Sequence, residues 1–148
     1  MTVPEGLYVD TSALAKLYVP ERGSDDLEHL LVGRTDLIVS DLAVTELSAA
    51  LARRVREKRL TGQDARTIYR QLLRDITAGH YYHLPVTAEA HREAERLLST
   101  IGHLHPLRSA DALHLAMAVI AKAQALATFD QHMRDAALAL GTLELLAT

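Results

Sequence analysis

The chain is expected to fold as a parallel α/β sandwich, a sheet of four to five strands with helices on both faces. Three observations predict it. Short β-prone runs alternate with longer stretches of helical periodicity. Several of those runs are apolar on both faces, as strands covered from two sides must be. Finally, 148 residues with 49% hydrophobic content suit one core, which at this size buries roughly 70% of the unfolded chain's surface. A single domain over residues 1–148 is expected, with no repeat, low-complexity tract or linker.

Leu7-Tyr8-Val9 reads as the first strand, and Asp10-Thr11-Ser12 then offers capping side chains for a helix that reaches Tyr18 and is stopped by Pro20. After Gly23-Ser24 a second helix carries Leu27, Leu30 and Leu31 on one face, and Leu37-Ile38-Val39 follows as the second strand. Ser40 or Asp41 caps the next helix, which runs from Leu42 to about Arg59. Another spans Thr61 to about Thr77, with Ile68, Leu72 and Ile76 at helical spacing and Gly62 and Gly79 bracketing it. Tyr81 to Val86 is a weak strand interrupted by Pro85. Thr87 caps a helix that ends near Gly102, and His103 to Arg108 form a loop before a helix starting at Ser109. From Ala110 to Ala123 that helix is apolar almost all round, which marks a central position. Leu126 to Phe129 is a buried strand, Gln131 to Leu140 a helix ended by Gly141, and Leu143 to Leu146 the last strand.

The absence of Cys removes disulfides, thiolate metal sites and a cysteine nucleophile, and fits a reducing cytoplasm. The start MTVPEGLYVD has no basic segment followed by a long apolar run, and no stretch approaches the ~20 apolar residues a membrane span requires. A soluble, unprocessed, cytoplasmic chain with no membrane role is expected. A net charge of -3 argues against coating nucleic acid by bulk electrostatics, so any such contact is local. Arg53, Arg54, Arg56, Lys58, Arg59, Arg66, Arg70 and Arg74 place eight of the 16 Lys and Arg in two consecutive helices. Of these, Arg66, Arg70 and Arg74 recur every fourth residue, as a stripe that meets phosphates or as an ordinary solvated face. Arg108, at the entry to the apolar helix, is in place to touch a scissile phosphate or an acid of another subunit. The apolar residues of the first two helices, Leu14, Leu17, Tyr18, Leu27, Leu30 and Leu31, serve core packing or a partner groove.

In parallel sheets the functional site lies beyond the carboxyl ends of the strands. Asp10 follows the first strand and Asp130 follows the strand ending at Phe129, so both fall on that edge, although each alone reads as a helix cap. Glu46 has Leu42, Ala43, Ala49 and Ala50 three and four residues away, and an unpaired carboxylate on such a face is costly. Either Arg53 on the same helix or a metal neutralises it. Asp111 sits in the first turn after Ser109, where the helix dipole favours it by about 0.3–1 kcal/mol. Four converging carboxylates repel pairwise by roughly 4 kcal/mol at ~4 Å and an effective dielectric of 20. Such a cluster stays partly protonated or recruits cations, and oxygen-only donors select Mg²⁺ or Mn²⁺. Those ions activate water for in-line attack on a phosphodiester. Thr11, Ser12 and Thr128 flank the acids and are expected to support them. The pairs His80/His83 and His103/His105 suggest a transition metal but lack a third ligand at zinc-site spacing. His114, three residues beyond Asp111, either orients that acid or packs as a core histidine.

The segments YVDTSALAKLY, VTELSAAL, SADALHLAMA and LATFDQHM, in this order and over essentially the whole chain, resemble the PIN domain of VapC-type toxins. The resemblance implies a Rossmann-like sandwich and a Mg²⁺- or Mn²⁺-dependent endoribonuclease acting on structured cellular RNA such as tRNA or ribosomal RNA. It also implies a homodimer and a VapB-like antitoxin partner. By that likeness Asp10, Glu46, Asp111 and Asp130 are the four acidic positions, both catalytic and metal-binding, with Ser12 or Thr128 in support. Met133 stands where the family often has an aromatic. Two rivals remain at this point. One is a PIN-like module that binds RNA or protein without cutting. The other is an aspartyl phosphotransferase of the haloacid dehalogenase kind, which needs a second Asp where this chain has Ser12.

Overall fold

The computed structural model describes residues 6–146; the expectations about the segment before Gly6 lie outside the described residues. Five strands form one parallel sheet: β1 (Leu7–Val9), β2 (Leu37–Ser40), β3 (Tyr82–Leu84), β4 (Ala125–Ala127) and β5 (Glu144–Leu146), in the order β3-β2-β1-β4-β5. The helices are α1 (Thr11–Tyr18), α2 (Ser24–Leu31), α3 (Asp41–Arg56), α4 (Gly62–Thr77), α5 (Ala88–Leu98), α6 (Ser109–Ile120) and α7 (Gln131–Leu140). The chain starts at the centre of the sheet, winds outward through β2 and β3, then returns to lay β4 on the other side of β1. The direction of winding thus reverses between β1 and β4, which is where an open parallel sheet leaves a crevice at its carboxyl edge.

Side chains alternate across the strands with period two. Tyr8, Ile38 and Leu126 enter one layer of the core, built with α5, α6 and α7, whereas Leu7, Val9, Leu37, Val39, Ala125 and Ala127 enter the other, built with α1 to α4. The apolar helix α6 is central, as its composition requires: Ala112, Leu115, Ala116, Met117 and Ala118 are all buried. Within α2, Leu27 and Leu31 face the core but Leu30 does not, being 39% exposed.

Several boundaries differ from the sequence reading, four of them for a clear local reason. Helix α3 stops at Arg56 rather than near Arg59, because Lys58 turns left-handed (φ 59°) and the Arg59 amide donates back to the Arg54 carbonyl at 2.8 Å. Gly62 does not bracket α4 but opens it, under a capping box of Thr61 and Asp64. Helix α5 ends at Leu98, where the Thr100 hydroxyl donates to the Arg96 carbonyl, and a short 3₁₀ turn covers Ile101–His103. Strand β4 ends at Ala127 rather than at Phe129, whose amide donates to the Ser12 hydroxyl (2.8 Å) instead of continuing the ladder. Among the described residues no helix is long and apolar enough to cross a membrane.

Leu126 is fully buried in a strand paired on both sides, so truncating it leaves a cavity in the core. Leu126→Ala is expected to cost about 2–5 kcal/mol in urea unfolding, whereas Leu104→Ala, at a side chain 82% exposed, should stay within about 0.5 kcal/mol.

Candidate active site at the carboxyl ends of β1 and β4

Asp10 is the residue at which β1 becomes α1. Its amide still donates to Ala127 across the β1–β4 ladder (3.2 Å), while its Oδ1 caps α1 by accepting from the Ala13 amide (3.0 Å). Two hydroxyls complete its surroundings. Ser12 Oγ donates to Oδ1 at 2.7 Å and accepts from the Phe129 amide; Thr128 Oγ1 donates to Oδ2 at 2.5 Å and accepts from the Asp130 amide at 3.1 Å. Each hydroxyl thereby ties the carboxylate to the exit of β4. The side chain is nearly sealed, at 2% exposure. Burial pushes its pKa above the ordinary carboxylate value, against the pull of the Thr128, Ser12 and Ala13 hydrogen bonds and the more distant charge of His114.

Asp130 caps α7 through Oδ1, which accepts from the Met133 amide at 3.1 Å, and directs Oδ2 to Arg108 Nη2 at 3.3 Å. Asp111, buried in the first turn of α6, accepts from the Arg108 amide, Nε and Nη2 at 3.2, 3.1 and 3.3 Å. The Arg108 guanidinium therefore bridges two of the expected acids from one exposed side chain. Those contacts, the Asp111 hydrogen bond first, raise its pKa further.

Glu46 is half-buried on α3, and the alternative of neutralisation by Arg53 is corrected: Arg53 pairs with Glu57 at 3.1 Å, one turn further along the same helix. Instead, Glu46 Oε1 accepts from Thr11 Oγ1 (2.6 Å) and stands 2.5 Å from His114 Nε2. Burial raises the Glu46 pKa, but the hydrogen bonds from His114 and Thr11, with the charges of His114 and Arg108, outweigh it and hold the carboxyl below its ordinary value. His114 is 3% exposed. Of the two readings of this residue, the one in which it orients Asp111 is corrected: it contacts Glu46 instead, and its Nδ1 lies 2.7 Å from Tyr8 Oη.

The structure thus brings Asp10, Ser12, Thr128 and Asp130 together at the crevice, links Asp111 to Asp130 through Arg108, and joins Glu46 to Thr11. Arg66, Arg70 and Arg74 lie exposed along α4, on the side away from its buried Leu72. His80 and His83 pair with Asp75 and Asp41 rather than with any of the four acids. Sequence reasoning missed the Tyr8–His114–Glu46 contact, for which the one available signal was a polar residue in the middle of an otherwise apolar helix.

Chemically, the donors are carboxylate oxygens, which suit a hard divalent cation, and buried Asp10 has hydroxyls and one amide, but no cation, in hydrogen-bond contact. As the side chains stand, no three His, Asp or Glu among the described residues form a ready-made metal cage. The place of a counter-cation between Asp111 and Asp130 is taken by Arg108. The residues fit such an ion by chemistry, with Arg108 as the group that has to yield.

A family model described as "PIN domain" matches residues 7–138. Ribonuclease VapC46 of Mycobacterium tuberculosis (strain ATCC 25618 / H37Rv) is 36% identical over 139 residues, 91% of this chain and 92% of the relative. Among solved structures, VapC20 of Mycobacterium tuberculosis, described as a sarcin-ricin loop cleaving toxin, superposes with a TM-score of 0.70 at 19% identity, over 88% of this chain and 95% of that one. FitAB bound to a DNA fragment superposes with a TM-score of 0.69 at 19% identity, over 95% and 93%.

The raised pKa of Asp10 sets a sign. Between the ordinary value of 3.8 and the raised one, the folded chain binds more protons than the unfolded chain, so stability falls as pH rises through that window and the penalty persists above it. The parent is therefore expected to lose stability as pH rises from the ordinary carboxylate range to neutrality, a pH-dependent loss that metal-free Asp10→Asn, which cannot ionise at this position, does not show. Urea midpoints of both proteins across pH measure it; the same pH dependence in the parent and in Asp10→Asn would contradict the assignment.

Proposed function

The chain belongs to the PIN-domain family, among relatives of the VapC ribonucleases, and we propose that it is the endoribonuclease toxin of a toxin–antitoxin pair. In this reading it hydrolyses RNA phosphodiesters with Mg²⁺ or Mn²⁺ held by Asp10, Glu46, Asp111 and Asp130. The observation that carries it is the buried Asp10 carboxylate at the reversal of the sheet, tied by Ser12 and Thr128 to the strand exit that bears Asp130. A VapB-like antitoxin, a homodimer and a cytoplasmic location go with that reading, as does one PIN domain over residues 1–148.

When bound, a hard divalent cation makes water more acidic and stabilises negative charge on a phosphoryl oxygen. The chain's own residues do the rest. Asp10 is held rigidly by three donors, so its orientation does not depend on substrate. Glu46, kept ionised at neutral pH by His114 and Thr11, serves as a ligand or accepts a proton from attacking water. Asp111 and Asp130 supply further carboxylates at the ends of α6 and β4. Arg108, once it leaves these acids, carries its guanidinium at the rim of the site, where it meets a phosphate in bidentate fashion. The exposed Arg66, Arg70 and Arg74 extend positive charge along α4 for more distant RNA backbone.

Cleavage of total cellular RNA by the purified, antitoxin-free chain tests this reading. Discrete fragments are expected with Mg²⁺ or Mn²⁺ and none with EDTA. Removing groups that only orient metal ligands costs about 10–100-fold, so Asp10→Asn, which alters a ligand itself, should lower the rate by more than about 100-fold. Saturating metal should raise the unfolding temperature of the parent but not of Asp10→Asn. A folded parent that cuts nothing with either metal would favour a module that binds without cutting.

A further inference from the structure

Helix α6 buries one side chain that is neither apolar nor acidic. His114 projects from α6 towards the end of the sheet and meets residues from three other elements: Tyr8 of β1, Thr11 of α1 and Glu46 of α3. Its Nδ1 rests on Tyr8 Oη at 2.7 Å, and Tyr8 Oη in turn lies 2.9 Å from Ser40 Oγ, which caps α3 by accepting from the Ala43 amide. Tyr8 is fully buried, so the ring has a fixed support behind it. On the other edge, Nε2 lies 2.5 Å from Glu46 Oε1 and 3.2 Å from Thr11 Oγ1.

This arrangement treats the two oxygens of Glu46 differently. Oε1 takes both the Thr11 hydroxyl and the His114 ring, while Oε2 has no hydrogen-bond partner among the described residues. A glutamate side chain has three rotatable bonds, and ordering it costs rotamer freedom. Two donors on one oxygen fix the carboxylate plane before any ligand arrives. Because the same Ser40 hydroxyl touches Tyr8 and caps α3, the helix that bears Glu46 and the ring that holds it share one anchor.

We infer that His114 is a positioning residue: seated on Tyr8, it holds Oε1 of Glu46 so that Oε2 is the oxygen Glu46 presents to a divalent cation. The inference rests on the proposed nuclease reading of Glu46, and the controls separate the two.

Mn²⁺ binding to the full chain, followed by the electron paramagnetic resonance signal of the free ion, provides a readout independent of RNA cleavage. His114→Leu removes both ring contacts. His114→Asn leaves an amide within reach of Tyr8 but too short for Glu46, and His114→Gln carries an amide N–H out to the position of Nε2. Both His114→Leu and His114→Asn are expected to weaken Mn²⁺ binding about 10–100-fold, with His114→Gln recovering most of the loss. In a Glu46→Gln background His114→Asn should have no further effect, because the two act through one carboxylate. Circular dichroism and thermal unfolding establish which variants fold, and the comparison of Asn with Gln stands even if the leucine variant does not. Parental Mn²⁺ affinity in folded His114→Asn would overturn the inference, as would His114→Gln falling as far as His114→Asn. If Glu46→Gln itself binds Mn²⁺ like the parent, the reading of Glu46 as a ligand fails and the inference with it.

Discussion

A carboxylate that gives up almost all of its water has to be compensated by whatever surrounds it, and for Asp10 that compensation is the joint between β1 and β4. Three donors surround its two oxygens, and two of them, the hydroxyls of Ser12 and Thr128, accept in turn from amides just beyond β4. None carries a full positive charge, so the carboxyl is oriented without being neutralised, and burial still lifts its pKa. The strand exits depend on this carboxylate as much as it depends on them: without Ser12 and Thr128, the Phe129 and Asp130 amides would need other acceptors where β4 stops. The fold thus maintains a site whose electrostatic demand is left for a ligand to meet.

The remaining acids are handled in two other ways. Glu46 is compensated by hydrogen bonds from a hydroxyl and a buried imidazole, enough to keep it ionised despite partial burial. Asp111 and Asp130 share Arg108, whose side chain is 72% exposed. Its contact with the more accessible Asp130 is worth little in stability, whereas Asp111 is buried, so the guanidinium leaves that carboxylate only at a cost unless another cation replaces it. The three arrangements differ in their partners: Asp10 has three uncharged donors, Glu46 is held through one oxygen, and Asp111 and Asp130 are bridged by one guanidinium. A cation entering the crevice would have to take the place of that guanidinium.

Much of this was legible in the sequence because it depended on local rules. The five strands, the capping roles of Asp10, Thr87 and Asp130, Ser40 as one of two candidate caps of α3, and the central place of α6 follow from period, turn residues and caps, all short-range signals. Asp10 and Asp130 fall on one edge because parallel strands all exit on the same side. What could not be read was which partners meet across the chain. Arg53 was a plausible neutraliser of Glu46 on helical spacing, yet it turns to Glu57, while Glu46 finds partners from α1 and α6. For His114 the spacing left two readings, orienting Asp111 or packing in the core; it is buried, but with its ring against Tyr8 of β1 and Glu46 of α3, partners that no local rule names. The end of β4 was misjudged because Phe129 is apolar enough to continue a strand, and only the Ser12 hydroxyl, distant in sequence, takes its amide out of the ladder.

The central claim, that these carboxylates form the seat of a divalent cation, is tested most directly by the anomalous scattering of Mn²⁺ in crystals of the chain. The account predicts a peak at the carboxyl ends of β1 and β4, in contact with Asp10 and at least one of Glu46, Asp111 and Asp130, with Arg108 turned away from the acids. Saturating Mn²⁺ that leaves no peak there, with Arg108 still bridging Asp111 and Asp130, would contradict it.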